Sequence, residues 1–115
     1  MNRGTLQRIP TPTAVLVALP EVTADACNEV LADAGVKVLR VGSVAAAAER
    51  IPVTMPQIVV VSTLMVAADL EVVIDRCVAV GSELLKLDPD TSPAATAALI
   101  RTAARNALIK ALAGI

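Results

Sequence analysis

The chain has 115 residues, 56% of them hydrophobic and 18% charged, and its 10 Lys and Arg against 11 Asp and Glu leave a formal charge of −1. That length suits one domain, the apolar content excludes wholesale disorder, and the charge balance supplies none of the positive field a nucleic-acid partner requires. There is also no His, Phe, Tyr or Trp. The usual neutral-pH base, the imidazole metal ligand, Ser-His and Cys-His nucleophile pairs, base-stacking platforms and aromatic interface anchors are therefore all excluded.

The opening MNRGTLQRIPTPT is polar with two prolines, which predicts a flexible arm over 1–13 ahead of a single domain over 14–115. The apolar run after it is shorter than a signal-peptide core needs, and Ile58–Ala68, broken by Ser62 and Thr63, is too short to span about 30 Å of hydrocarbon. A cytoplasmic protein with no membrane insertion is expected.

AVLVAL, residues 14–19, is a continuous apolar run of the kind found in a parallel strand covered on both faces, and Pro20 is read as its end. Thr23 offers an N-cap to a helix whose Cys27, Val30, Leu31 and Ala34 recur at helical spacing, and Gly35 stops it. KVLRV, 37–41, mixes apolar and charged residues as an edge strand does. Ser43 caps the alanine-rich helix VAAAAERI, which Pro52 is expected to close. Gln57–Val61 is the most apolar strand and belongs at the sheet centre. Leu70, Val73, Ile74, Cys77 and Val78 form one face of a third helix closed by Gly81. ELLKL, 83–87, is a short fourth strand, and DPDTSP supplies a turn, a cap and a first-turn proline for a helix reaching Leu112. Cys27 and Cys77 stand apart on apolar helix positions and read as buried, inert thiols.

The order βαβαβαβα with short loops predicts an α/β fold: a three-layer, doubly wound parallel sheet of about four βα units, strand order 2-1-3-4. Ligands of such sheets sit at the carboxyl ends of the strands where the winding reverses, between strands 1 and 3. This gathers Glu21, Ser62, Thr63, Lys86 and Asp88 as candidate ligand-binding residues. The same residue types also fit plain strand ends, helix starts and a snorkelling edge lysine. The first βα turn, ALPEVT, has no glycine and contains a proline without an N–H, so it makes no phosphate cradle, and Glu21 alone is too few carboxylates for magnesium. Neither a metal nor another cofactor is expected, and no catalytic residue is assigned.

VLVALPEVTADACNEVLADAGVKVLRVGS, a short helix and IVVVS together resemble the first half of a response-regulator receiver domain of the chemotaxis type. ELLKLDPDTSPAATAALI resembles its last strand and helix, with Lys86 at the position of the family's lysine. Receivers carry an acidic pair after the first strand, where this chain has Leu19-Pro20, with Glu21 a displaced acid. Their phosphoacceptor aspartate corresponds to Ser62, and the interval from Ser62 to Lys86 is about one βα unit short. The resemblance therefore implies a pseudo-receiver without phosphotransfer, since a serine is not an acyl-phosphate acceptor and no acid cluster surrounds it.

In the final helix, Ala97, Ile100, Ala104, Ala107, Leu108 and Ala111 form the expected inward stripe. Leu99 and Ile109 lie off it, and Arg101 and Arg105 stand one turn apart, so these four are the candidate interface residues for a protein partner or a second copy. The primary expectation is a non-catalytic interaction or scaffold module acting through this helix and the sheet edge. The alternative is a small-ligand sensor or enzyme using the ends of strands 1 and 3.

Overall fold

A computed structural model describes residues 11–113. They form β1 (Thr13–Val17), α1 (Glu21–Asp33), β2 (Lys37–Val41), α2 (Val44–Thr54), β3 (Ile58–Ser62), α3 (Ala67–Val80), β4 (Glu83–Leu87) and α4 (Pro93–Ala113). All three strand pairings are parallel and the strand order is β2-β1-β3-β4. This is the doubly wound α/β arrangement that the alternation of apolar strands and amphipathic helices predicts. Of the arm read over 1–13, residues 1–10 lie outside the described residues. The Pro12 carbonyl accepts the Lys37 N–H at 2.8 Å, and Thr13 opens β1.

Two apolar layers sandwich the sheet. Ala14, Leu16, Ile58, Val60 and Leu87 pack with Leu31 of α1 and Ile100 of α4, while Val15, Val17, Val59 and Val61 pack with Ile51 of α2 and Val73 of α3. Alternation along each strand explains the division, since successive side chains leave opposite faces. Every residue from Ala14 to Val17 and from Ile58 to Val61 is at most 1% exposed, as the two central strands require, and each fully buried Val or Leu contributes about 1.5–3 kcal/mol. The outer strands β2 and β4 are only half-buried.

Several helix boundaries differ from the sequence expectation for local reasons. β1 stops at Val17 because Ala18 turns left-handed (φ 49°), and α1 begins at Glu21, with the Pro20 carbonyl accepting the Ala24 N–H at 2.8 Å. Thr23 thus lies inside the first turn and caps nothing. Ser43 does cap α2, its hydroxyl accepting the Ala46 N–H at 3.1 Å. Pro52 does not close that helix. A proline inside a helix removes one N–H and so orphans the carbonyl four residues back. Here that carbonyl belongs to Ala48, and Arg76 of α3 donates its Nε–H to it at 3.3 Å. The helix runs on to Thr54 and ends at the left-handed Met55. In α3, Val73 and Cys77 are buried, but Val78 is 76% exposed and does not belong to the core face.

Cys27 and Cys77 are free and buried in different layers, with the sheet between them. Burial pushes both thiols up, from the ordinary 9.0 to about 11, with the nearby Arg40 charge opposing the rise at Cys27.

Pro52→Ala restores the missing donor, so Arg76→Ala should cost about 0.5–1.5 kcal/mol in the native background and clearly less beside Pro52→Ala, as read from urea unfolding of the four-member mutant cycle. The cysteines set a second expectation. Thiols whose folded pKa exceeds the unfolded value contribute stability that is complete below pH 9 and is lost as the pH rises through about 11. Stability measured from pH 8 to 11 should fall in the native chain and fall less steeply in the Cys27→Ala, Cys77→Ala double variant.

Candidate functional site

The winding reverses between β1 and β3, and the chain leaves these two strands in opposite directions. The Ala18 N–H donates to Val41 of β2 at 2.8 Å, holding the left-handed turn that carries the chain through Leu19 and Pro20 into α1. At the end of β3, the Thr63 N–H donates to the Leu87 carbonyl at 2.9 Å, extending the ladder with β4. The Ser62 hydroxyl accepts the Leu64 N–H at 3.0 Å, and the Ser62 carbonyl accepts the Met65 N–H at 3.1 Å. Ser62 therefore fastens a tight turn through both of its oxygens. A Ser side chain bonding two residues ahead does this wherever a chain must reverse quickly.

Between the two exits lies an open cleft of about 360 Å³, walled by Ala18, Pro20, Val44, Met65 and Val66, with Ser62 and Asp69 its polar members. Leu64 and Val66 on its rim are 76% and 61% exposed. Sequence reasoning missed the cleft's apolar character. The signal was LMV at 64–66, three apolar residues in succession beyond a strand end where loop polarity is the norm.

The predicted site residues do not converge on this cleft. Ser62 lines it. Glu21 opens α1 on the other side of Pro20 and borders a separate hollow with Leu19 and Arg40. Arg40 in turn pairs with Asp25 at an exposed position. Thr63 is exposed beside the turn. Lys86 is exposed within β4, and among the described residues it makes no ion pair. Asp88 shapes the loop before α4, its carboxylate accepting the Asp90 N–H and its carbonyl the Thr91 N–H, each at 2.9 Å. Among the described residues no three acidic or cysteine side chains stand close enough to hold a metal ion.

The α4 candidates divide as well. Ser92 caps the helix, accepting the Ala95 N–H at 3.2 Å, and Pro93 opens it as expected. Its buried stripe is Thr96, Ile100, Ala103, Ala104 and Ala107, whereas Leu108 is 37% exposed and lies outside it. Leu99 borders β4 beside Glu83 and Leu85. Arg101 faces α1 beside Val30, Asp33 and Ala34, roughly 160° around the helix from Leu99 at about 100° per residue. Arg105 follows Arg101 by one turn and shares its side. Ile109, 57% exposed, points outward between the two flanks.

No protein-family model and no curated protein matches the chain. Its structure is similar to the signal receiver domain of a protein described as a Luxo repressor, from Vibrio parahaemolyticus, with a TM-score of 0.61 and 12% sequence identity over 90% of this chain and 98% of that one. The fold is thus a receiver-like α/β fold, with four parallel strands in the order 2-1-3-4 and four helices. No helix of the described residues is long and apolar enough to cross a membrane.

Ser62→Ala leaves the Leu64 N–H without its acceptor and should destabilise the fold by about 0.5–1.5 kcal/mol, while Thr63→Ala next to it should change stability by less than about 0.5 kcal/mol. Denaturant midpoints of the two variants measure the contrast.

Proposed function

We propose that the domain is a pseudo-receiver of the chemotaxis type: a cytoplasmic, non-catalytic interaction module that associates with a protein partner or with itself through α4 and the adjoining sheet edge. The observation that carries this reading is the turn at Ser62. At the strand end where receivers keep a phosphoacceptor aspartate, this chain has a hydroxyl already engaged with Leu64 N–H, beside a largely apolar cleft. Phosphoryl transfer to a carboxylate requires the acceptor and charge-neutralising groups within reach of the same oxygens, and here Glu21, Lys86 and Asp88 each lie elsewhere. The surface left for work is α4, where Leu99, Ile109 and Leu112 are 47%, 57% and 46% exposed among Arg101, Arg105 and Lys110. Apolar residues among cations on a helix that carries no acid of its own suit a protein partner with an apolar, acidic face.

A second reading rests on the cleft. Its apolar walls with Ser62 and Asp69 fit a small ligand with an apolar body and one hydrogen-bonding or cationic end, which would make the domain a sensor. Incubation with small phosphodonors and Mg²⁺, followed by intact-mass and thermal-shift measurements, should give neither a phosphoryl mass increase nor stabilisation. A stable acyl phosphate would overturn the pseudo-receiver reading, and saturable stabilisation by a metabolite would favour the sensor. Leu99→Glu with Ile109→Glu should abolish α4-mediated assembly by light scattering while leaving the unfolding midpoint nearly unchanged, because both side chains are solvent-exposed.

A further inference from the structure

We infer that the sheet edge closes on a second copy of this chain, the β4 strands of two protomers pairing antiparallel in a register centred on Leu85. The inference rests on the interaction-module reading above and names the partner at its sheet edge. The ladder geometry leads to it. The Glu83 N–H donates to Gln57 and the Leu87 carbonyl accepts from Thr63, both at 2.9 Å, so residues 83, 85 and 87 turn their backbone groups toward β3. Alternation along the strand then turns the N–H and C=O of Leu84 and Lys86 outward, where among the described residues no further strand follows. Two donors and two acceptors thus stand open on this edge.

A two-fold axis normal to the sheet keeps each face of the sheet on its own side. Residues opposite one another must then have the same parity. Centring on Leu85 sets Leu84 against the partner's Lys86 and Lys86 against the partner's Leu84. Both are hydrogen-bonded positions, so all four open groups of each strand are satisfied. Centring on Lys86 would put two lysines face to face, and centring on Leu84 would need the Ser82 N–H, which already donates to the Cys77 carbonyl at 2.9 Å. In the favoured register Leu85 meets its symmetry mate at the close, non-hydrogen-bonded position. Leu99, which borders Leu85 on the same face and is 47% exposed, widens that contact into an apolar strip.

Cover and charge separate this edge from the other one. α4 packs on α1 and touches β3, leaving Leu85 only half-buried on its face, and Leu84 is half-buried on the α3 face. β2 is packed by both α1 and α2 and carries Lys37 and Arg40 with no acid of its own; Arg40 is paired with Asp25 of α1, so self-pairing of β2 would gather two Lys37 ammoniums with no acid on either strand. β4 carries one residue of each sign, Glu83 and Lys86, on opposite faces.

The test uses the full chain. Light scattering from about 1 µM to about 1 mM should show a monomer–dimer equilibrium, and the Leu84 and Lys86 amides should exchange at least tenfold more slowly in the dimer. Lys86→Pro removes one outward N–H and no bond to β3, so it should weaken dimerisation at least tenfold with the unfolding midpoint retained, whereas Lys86→Ala should keep the dimer. Should Lys86→Pro prove unfolded, Leu85→Lys, which sets like charges at the axis, serves in its place. A strict monomer, or a dimer whose Leu84 and Lys86 amides exchange freely, overturns the edge pairing. A dimer that falls to Leu99→Glu with Ile109→Glu but survives Lys86→Pro overturns it while sparing the interaction-module reading; saturable metabolite binding by a strict monomer defeats both.

Discussion

The pairing of β1 with β3 is the contact on which everything else in this domain depends. Its register sets Ala14 beside Ile58, Val15 beside Val59 and Leu16 beside Val60, and both strands are covered above and below. With no aromatic side chain anywhere, the packing relies on β-branched and aliphatic residues, which fit a pleated surface and interlock at short range. The helices over this pair are correspondingly lean: α4 approaches through Ala103, Ala104 and Ala107, and α2 through Ala47. Small residues bring helix backbones close, so the absence of large rings is compatible with a fully buried centre.

The same pairing dictates where a site can be. Right-handed crossovers running outward from β1 and from β3 carry their helices to opposite faces, so the chain parts at the carboxyl ends of these two strands and leaves a hollow. Topology supplies the hollow whatever the sequence. Its chemistry is local, and here it is set by a left-handed alanine, a proline without an N–H and an apolar LMV turn fastened by Ser62. The end of β3 is thus held as a tight turn by both oxygens of Ser62.

How much of this was legible depended on the range of the interaction. Strands, winding and edge placement follow from runs of apolar residues and their period, and these properties are written along the chain. The continuation of α2 through Pro52 was not legible, because the donor for the orphaned carbonyl of Ala48 comes from Arg76, 28 residues away. Thr23 was misread as a cap because the turn at Ala18 starts the helix early, and alanine gives no hint of a left-handed conformation. Among the candidate site residues, Ser62 lines the cleft between β1 and β3, whereas Glu21 and Asp88 share only its end of the sheet. Being at one end of a sheet is a matter of topology. Facing one point depends on turns of two or three residues, which propensity does not resolve.

The asymmetry of a four-unit sheet has a consequence of its own. α1 covers one face, and α2 and α3 cover the other, since the crossovers to β3 and β4 run in the same direction. α4 follows β4 and packs where apolar surface was left, against α1 and under the centre of the sheet. That choice buries Ile100 and closes the core, and it sets α4 back from β4. The outer strand is left with one face half-covered and two residues' backbone groups open. The half-covered face of β4 and the exposed flank of α4 at Leu99 share one origin: α4 packs against α1 and not beside β4.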